Sequence, residues 1–183
     1  MQNNIRRQVM QVAAALIALG ALTAAHAITQ PMQAQRGLVR LGSKTQANVD
    51  ANRSSVAIGQ GMVLVSSNPG GLGRATLKVS FDGAPIVAKV QGTAVIAYLP
   101  GKFIEITEVE GRTYLTREGK LGENVAIDAG KMLLVEPSAN RLPNTIDINL
   151  DYFVKNSPML NGGQDLGASP LIARSIDKQS ADR

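Results

Sequence analysis

Three glutamates that lie close together in the sequence are the residues best spaced for acid–base chemistry: Glu105, Glu108 and Glu110. Two carboxyl groups on either side of a glycosidic bond can act as general acid and as nucleophile or base. In a regular strand Glu108 and Glu110 share one face, and Val109 lies on the opposite face. Such a run is more typical of a solvated strand face or a turn. We therefore predict that these carboxylates are not catalytic.

Histidine and cysteine are almost absent from the chain. His26 is the single histidine, and there is no cysteine. His26 lies in a segment that we expect to be removed, so the mature protein would contain neither residue type. Their absence excludes histidine general-base catalysis, Ser-His-Asp and Cys-His nucleophiles, disulfides and ordinary zinc sites. The sequence therefore predicts a non-enzymatic protein with no catalytic residues, no cofactor and no metal site.

The alternating polar residues Asp147, Asn149 and Asp151 resemble the start of a calcium loop. An EF-hand loop needs glycine at its sixth position and glutamate at its twelfth. The corresponding residues here are Tyr152 and Pro158, so the pattern does not fit. We interpret these residues as the N-terminal end of a helix, where the helix dipole favours negative charge.

The first 27 residues have the pattern of a secretory signal peptide. Arg6 and Arg7 are followed by an Ala- and Leu-rich apolar run, and Ala25-His26-Ala27 is an A-x-A cleavage site before Ile28. We predict export to the periplasm or out of the cell. The alternative is an uncleaved membrane anchor, although the apolar run is short for a membrane span. After cleavage no apolar run of spanning length remains.

The charge pattern argues against nucleic-acid binding. Loss of the two arginines in the signal segment would lower the formal charge from +5 to +3. The remaining cations are scattered, and no aromatic residues are interleaved with them for base stacking. We therefore predict no nucleic-acid partner.

Short apolar stretches separated by turn residues predict strands along most of the chain. Leu77, Val79 and Phe81 alternate with polar residues, and Ala94–Leu99 is apolar on both faces, as in a central strand covered from both sides. The predicted strands are Gln46–Asp50, Ser55–Ile58, Met62–Val65, Ala75–Phe81, Pro85–Val90, Ala94–Leu99, Lys102–Glu108, Thr113–Thr116, Asn124–Ile127 and Met132–Val135. About ten short strands predict an all-β, jelly-roll-like β-sandwich.

One short helix is predicted after these strands, at Ile148–Asn156, with Tyr152 and Phe153 packing against the sandwich and Pro158 beyond its end. The expected organisation is a signal peptide at 1–27, a lead-in at 28–43, a β domain with its helix at 44–160, and a mobile tail at 161–183.

Three short motifs resemble the FecR domain. They are Gln91-Gly92-Thr93, Val109-Glu110-Gly111 and Asp128-Ala129-Gly130-Lys131-Met132, with Lys131 where the family usually has glutamine. The resemblance implies a periplasmic β-sandwich. The best-known members are inner-membrane regulators that sense a loaded outer-membrane receptor and control a cytoplasmic sigma factor. We interpret Gly92, Thr93, Glu110, Gly111, Ala129 and Gly130 as structural turn positions, because glycine permits conformations that other residues avoid.

Two functions follow from these features. The first is a periplasmic or secreted binding or scaffold module in the bacterial envelope, with an envelope protein or a polysaccharide as partner. The alternative is a membrane-anchored regulator of envelope signal transduction of the FecR type. An exposed strand edge would also allow homo-oligomers to form.

Overall fold

The computed structural model describes residues 32–34, 37–50, 54–67, 75–162 and 167–182. The strands in this part of the chain are β1 (Met32–Ala34), β2 (Gly37–Leu41), β3 (Gln46–Asp50), β4 (Ser55–Ser67), β5 (Leu77–Phe81), β6 (Ala84–Leu99), β7 (Phe103–Arg117), β8 (Asn124–Asp128), β9 (Lys131–Val135) and β10 (Ile146–Asp147). The helices are α1 (Leu150–Asn156), α2 (Pro158–Asn161) and α3 (Ser169–Ala181).

Three long strands, β4, β6 and β7, take part in both layers of the fold. The first half of β4 pairs with β3 and, in parallel, with β5, whereas its second half pairs with β2 and β6. The first half of β6 pairs with β5 and the end of β7, and the end of β7 pairs with β8. The start of β7 pairs instead with β9. The long strands therefore connect a first layer (β3, β5, β8) to a second layer (β1, β2, β9, β10).

The main hydrophobic core lies between these layers. Buried side chains from both layers form one cluster, among them Val56, Leu77 and Ile127 from the first and Val39 and Leu133 from the second. Burial of this aliphatic surface is the main driving force for the fold. The predicted all-β sandwich is confirmed, and so is the burial of both faces of Ala94–Leu99, apart from the exposed Leu99 at its end.

A second apolar cluster lies on the face of the second layer that points away from the main core. Leu64, Val95 and Val109 contribute from the strands, and the helices cover them with residues that include Leu150 and Ile172. One sheet of the sandwich is thus packed on both faces, by the main core and by helices.

The predicted breaks inside the three long strands are wrong. Ser55–Ile58 and Met62–Val65 belong to one strand, β4, and Gly92 and Gly111 lie within β6 and β7. Glycine inside a strand often marks a sharp bend and not an end. The turn predicted at Ala129-Gly130 is present, and further turns lie at Asp82-Gly83 and Pro100-Gly101, with positive φ at each glycine.

Residues outside the predicted β domain also form regular structure. The lead-in expected at 28–43 contains β1 and β2, and Val39 and Arg40 in β2 are fully buried. The segment expected to be a mobile tail at 161–183 contains α3, in which Ile172 is buried. Both segments are stabilised by contacts with distant parts of the chain, which their own composition does not indicate.

The predicted helix at Ile148–Asn156 is confirmed as α1. The side chain of Asn149 accepts a hydrogen bond from the Tyr152 amide at 3.0 Å, which caps the first turn. Phe153 packs against the second cluster, but Tyr152 is 57% exposed and does not anchor the helix. Pro158 begins α2 instead of lying beyond all helical structure.

The signal segment, with its predicted cleavage residues Ala25, Ala27 and Ile28, lies outside the described residues. Within the part of the chain that the structure describes, no helix is long and apolar enough to cross a membrane.

Candidate functional site

The glutamates of β7 do not provide two carboxyl groups that face each other across a cleft. Thr93 pairs with Glu110 and Ala94 pairs with Glu108, so Val109 is the extra residue of a β-bulge. The bulge places Glu108 on the face of the main core, and places Val109 and Glu110 on the helix-covered side. The expectation that Glu108 and Glu110 share a face is therefore wrong.

Glu108 is buried and not solvated, contrary to the prediction. Its side chain is fully buried, and the Thr113 hydroxyl donates a hydrogen bond of 2.5 Å to Oε2. Burial raises the pKa of Glu108 well above its ordinary value, the Thr113 hydrogen bond lowers it, and Glu110 and Asp128 raise it further. Desolvation therefore outweighs hydrogen bonding here and favours the neutral form of the carboxyl.

The other two glutamates have perturbed acidities for the same reason. Burial raises the pKa of Glu105 to about 7. Burial also raises the pKa of Glu110, while a hydrogen bond from Thr93 lowers it. The Thr93 hydroxyl in turn lies 2.9 Å from the Ser66 hydroxyl. These carboxyls belong to the packing of the sheet and its helices.

The six residues of the FecR-like motifs come together at one junction where the layers meet. Gly92 faces Gly111, and Thr93 faces Glu110 across β6 and β7. The Ala129 amide donates to the Gly111 carbonyl at 3.3 Å, and the Gly130 amide donates to the Glu108 carbonyl at 3.0 Å. The motif therefore builds the bend of the sandwich, although Gly92 and Gly111 are not in turns.

Gln179 in α3 completes this junction, a role that was not predicted from the sequence. Its Nε2 donates to the Ile148 carbonyl at 2.9 Å and to the Gly130 carbonyl at 3.4 Å. Its Oε1 accepts from the Leu150 amide at 3.0 Å. One side chain thus ties α3 to the β8–β9 turn and to the start of α1. Its partners are far away in the sequence, so no local pattern could have revealed it.

The acidic residues that resembled a calcium loop have other partners. Asp147 Oδ1 lies 2.8 Å from Lys131 Nζ, and Asp151 Oδ2 lies 2.8 Å from Lys155 Nζ one helical turn away. Asn149 caps α1, as described above. Among the described residues, no group of three or more possible metal-ligating side chains is found.

An open groove of about 600 Å³ lies at the end of the sandwich, between the β7–β8 turn and the segment that follows β9. Residues 120–125 and 140–142 line it. Leu121 at the tip of the turn is fully exposed. Binding sites are typically concave, so the groove is a candidate binding surface, whereas a single exposed leucine is ordinary on a protein surface.

Polar contacts hold the two walls of this groove together. Lys120 Nζ donates to the Asn140 carbonyl at 2.5 Å, and the Leu142 amide donates to Glu123 Oε1 at 2.7 Å. The other carboxylate oxygen of Glu123 lies 3.4 Å from Nε of Arg117, which is largely buried. The groove is therefore formed before any ligand binds. Sequence reasoning missed it because its walls are separated in the chain.

No protein-family model matches the chain, and no curated protein matches it. Two solved structures of a "putative anti-sigma factor" from Parabacteroides distasonis ATCC 8503 are similar in fold. One aligns with a TM-score of 0.50 and 13% identity, over 74% of this chain and 66% of that one. The other aligns with a TM-score of 0.49 and 11% identity, over 69% and 61%. This chain spans less than two thirds of the length of either, and at such identity the likeness concerns the fold.

Proposed function

We propose that this protein is a sensory domain of bacterial envelope signal transduction, which acts by binding another envelope protein and not by catalysis. The observation that carries the proposal is the fold shared with a protein described as an anti-sigma factor. The resemblance of three short motifs to the FecR domain, whose best-known members are such regulators, points the same way. These two likenesses favour the membrane-anchored regulator over the free-standing scaffold module, which the sequence analysis gave as the first of the two functions.

The arrangement of titratable groups fits a binding role. Glu108 lies inside the sandwich, and Glu105 and Glu110 lie on the face that the helices cover. Catalytic carboxylates must reach a substrate from a cleft. The described surface also offers a groove and a strand edge, and both suit contact with a protein segment.

The scaffold module remains the second candidate, and one observation favours it. Ala25-His26-Ala27 provides the small residues that signal peptidase requires, and cleavage there would release the domain from the membrane. A regulator that transmits a signal across the inner membrane must keep its apolar segment. The state of the N-terminus therefore separates the two candidates.

The test is purification of the tagged full-length chain from detergent-solubilised envelopes, followed by N-terminal sequencing. The proposal predicts that residues 1–27 are retained and that one envelope protein co-purifies in stoichiometric amount. A free chain that begins at Ile28 without a protein partner would contradict it. Retention on envelope polysaccharide in place of protein would support the scaffold candidate.

A further inference from the structure

Strand β8 offers an unprotected edge. Among the described residues it pairs only with β7, from Arg112↔Asp128 to Thr116↔Asn124. Ile127 faces the core, whereas Asn124 and Ala126 are exposed. Natural edge strands are commonly protected by charged side chains, proline or a bulge. β8 has no lysine, proline or bulge, and its one charged side chain, Asp128, is paired with Arg112. Its outer edge can therefore accept a further strand.

The groove continues from the first residues of this strand, because Asn124 and Val125 belong to its lining. An extended peptide that pairs with β8 would thus place its neighbouring side chains in the groove. Strand addition supplies affinity through backbone hydrogen bonds, and adjacent pockets supply specificity through alternate side chains.

The charges around the groove indicate which side chains it would accept. Lys120 and Arg141 are both exposed and line it. The one carboxylate in the lining, Glu123, is already occupied by Arg117 and by the Leu142 amide. At the other end of β8, Asp128 is paired with Arg112. Uncompensated charge at the groove is therefore positive, which favours an acidic partner.

We propose that β8 and the adjoining groove bind an extended, acidic segment of a partner envelope protein by strand addition. The partner's backbone would pair with Asn124–Asp128, and its carboxylates would meet Lys120 and Arg141. This inference rests on the proposed function and deepens it, since it specifies the surface and the chemistry of the partner.

The first test measures fluorescence anisotropy of labelled heptapeptides, one alternating glutamate with valine and one alternating lysine with valine, against the full chain. We expect the acidic peptide to bind about tenfold more tightly. The Lys120→Glu/Arg141→Glu variant should reverse the preference. Lys102→Glu/Lys178→Glu, which changes two exposed lysines elsewhere, should preserve it. Equal binding of both peptides, or the same loss in both variants, would overturn the inference.

The second test locates the peptide. Because the chain has no cysteine, a photoreactive maleimide can be attached at Ala126→Cys in β8 or at Asn48→Cys, an exposed position in the other edge strand β3. Crosslinking of the acidic peptide from position 126 but not from position 48 is expected. Chain-to-chain crosslinks from position 126 would assign the edge to a second copy and overturn the inference. If neither position captures the peptide while an envelope protein still co-purifies, the inference fails and the proposed function stands.

Discussion

The Cα atoms of Gly92 and Gly111 face each other so closely that neither residue can carry a side chain. A Cβ on Gly92 would lie 1.9 Å from the Glu110 carbonyl oxygen and 2.7 Å from the Gly111 Cα. Gly111 also has a φ of +82°, a region that other residues rarely adopt. The two long strands can therefore approach and bend together, and this bend brings the two layers of the sandwich over one core.

Replacing Gly92 tests this bend. Gly92→Ala should lower the free energy of unfolding by at least about 3 kcal/mol, because backbone atoms cannot yield to the new methyl group. Urea denaturation followed by circular dichroism measures the change.

Gly59→Ala is the matched control, since it also lies in a long strand. Its Cβ would meet its nearest neighbour at 3.4 Å, an ordinary contact. We expect a change within about 1 kcal/mol. Equal stability of the Gly92→Ala variant and the wild type would show that the strands do not approach as described.

The buried carboxyls predict an unusual pH dependence of stability. The pKa of Glu105 is raised in the folded state to about 7 from an ordinary 4.5. Between these values the unfolded chain has lost a proton that the folded chain keeps, so the free energy of unfolding falls as the pH rises. Glu108, whose pKa is also raised, acts in the same direction. The protein should be more stable at pH 5 than at pH 7.5.

Neutral substitutions identify the groups responsible. Glu105→Gln should flatten the fall in the free energy of unfolding between pH 5 and 7, by up to about 1.4 kcal/mol for each pH unit. The exposed Glu118→Gln serves as the control and should keep the wild-type profile. Denaturation series at several pH values provide the measurement, and an unchanged profile in Glu105→Gln would be inconsistent with the burial of that side chain.

The amide of Gln179 is predicted to hold α3 in place. Gln179→Glu keeps the shape but replaces a donor by an acceptor, which would face the carbonyls of Ile148 and Gly130. We expect a loss of about 1–3 kcal/mol, since buried groups lose their partners. Hydrogen exchange should accelerate in α1 and α3 but not in β6. Ser180→Ala, at an exposed position in the same helix, should have no such effect. Equal exchange in both variants would show that the Gln179 hydrogen bonds do not hold α3 in place.

The sequence predicted those features that depend on local alternation. Leu77, Val79 and Phe81 follow the pleat of a half-buried strand, and each is buried as expected. The bulge at Val109 could not be predicted, because it is created by the register of β7 against β6. The burial of Arg40 in a segment that reads as a polar lead-in also depends on distant contacts, among them its hydrogen bond of 2.6 Å to the Met159 carbonyl.

The candidate site was predictable only in part. The motif glycines were identified from their types and spacing, but their meeting at one junction required the fold. The groove joins a turn after β7 to a segment after β9, so neither wall indicates it alone. Prediction therefore failed where the feature is created by pairing between distant segments.

The proposed role in envelope signal transduction can be tested in the native bacterium. The most direct test compares transcripts in the native bacterium with the gene intact, with the gene deleted, and with the deletion complemented by wild type or by Lys120→Glu/Arg141→Glu. We predict that deletion changes a small, coherent set of transcripts, that wild type restores them, and that the charge-reversed variant does not. Unchanged transcripts in the deletion strain would contradict a role of this protein in signal transduction.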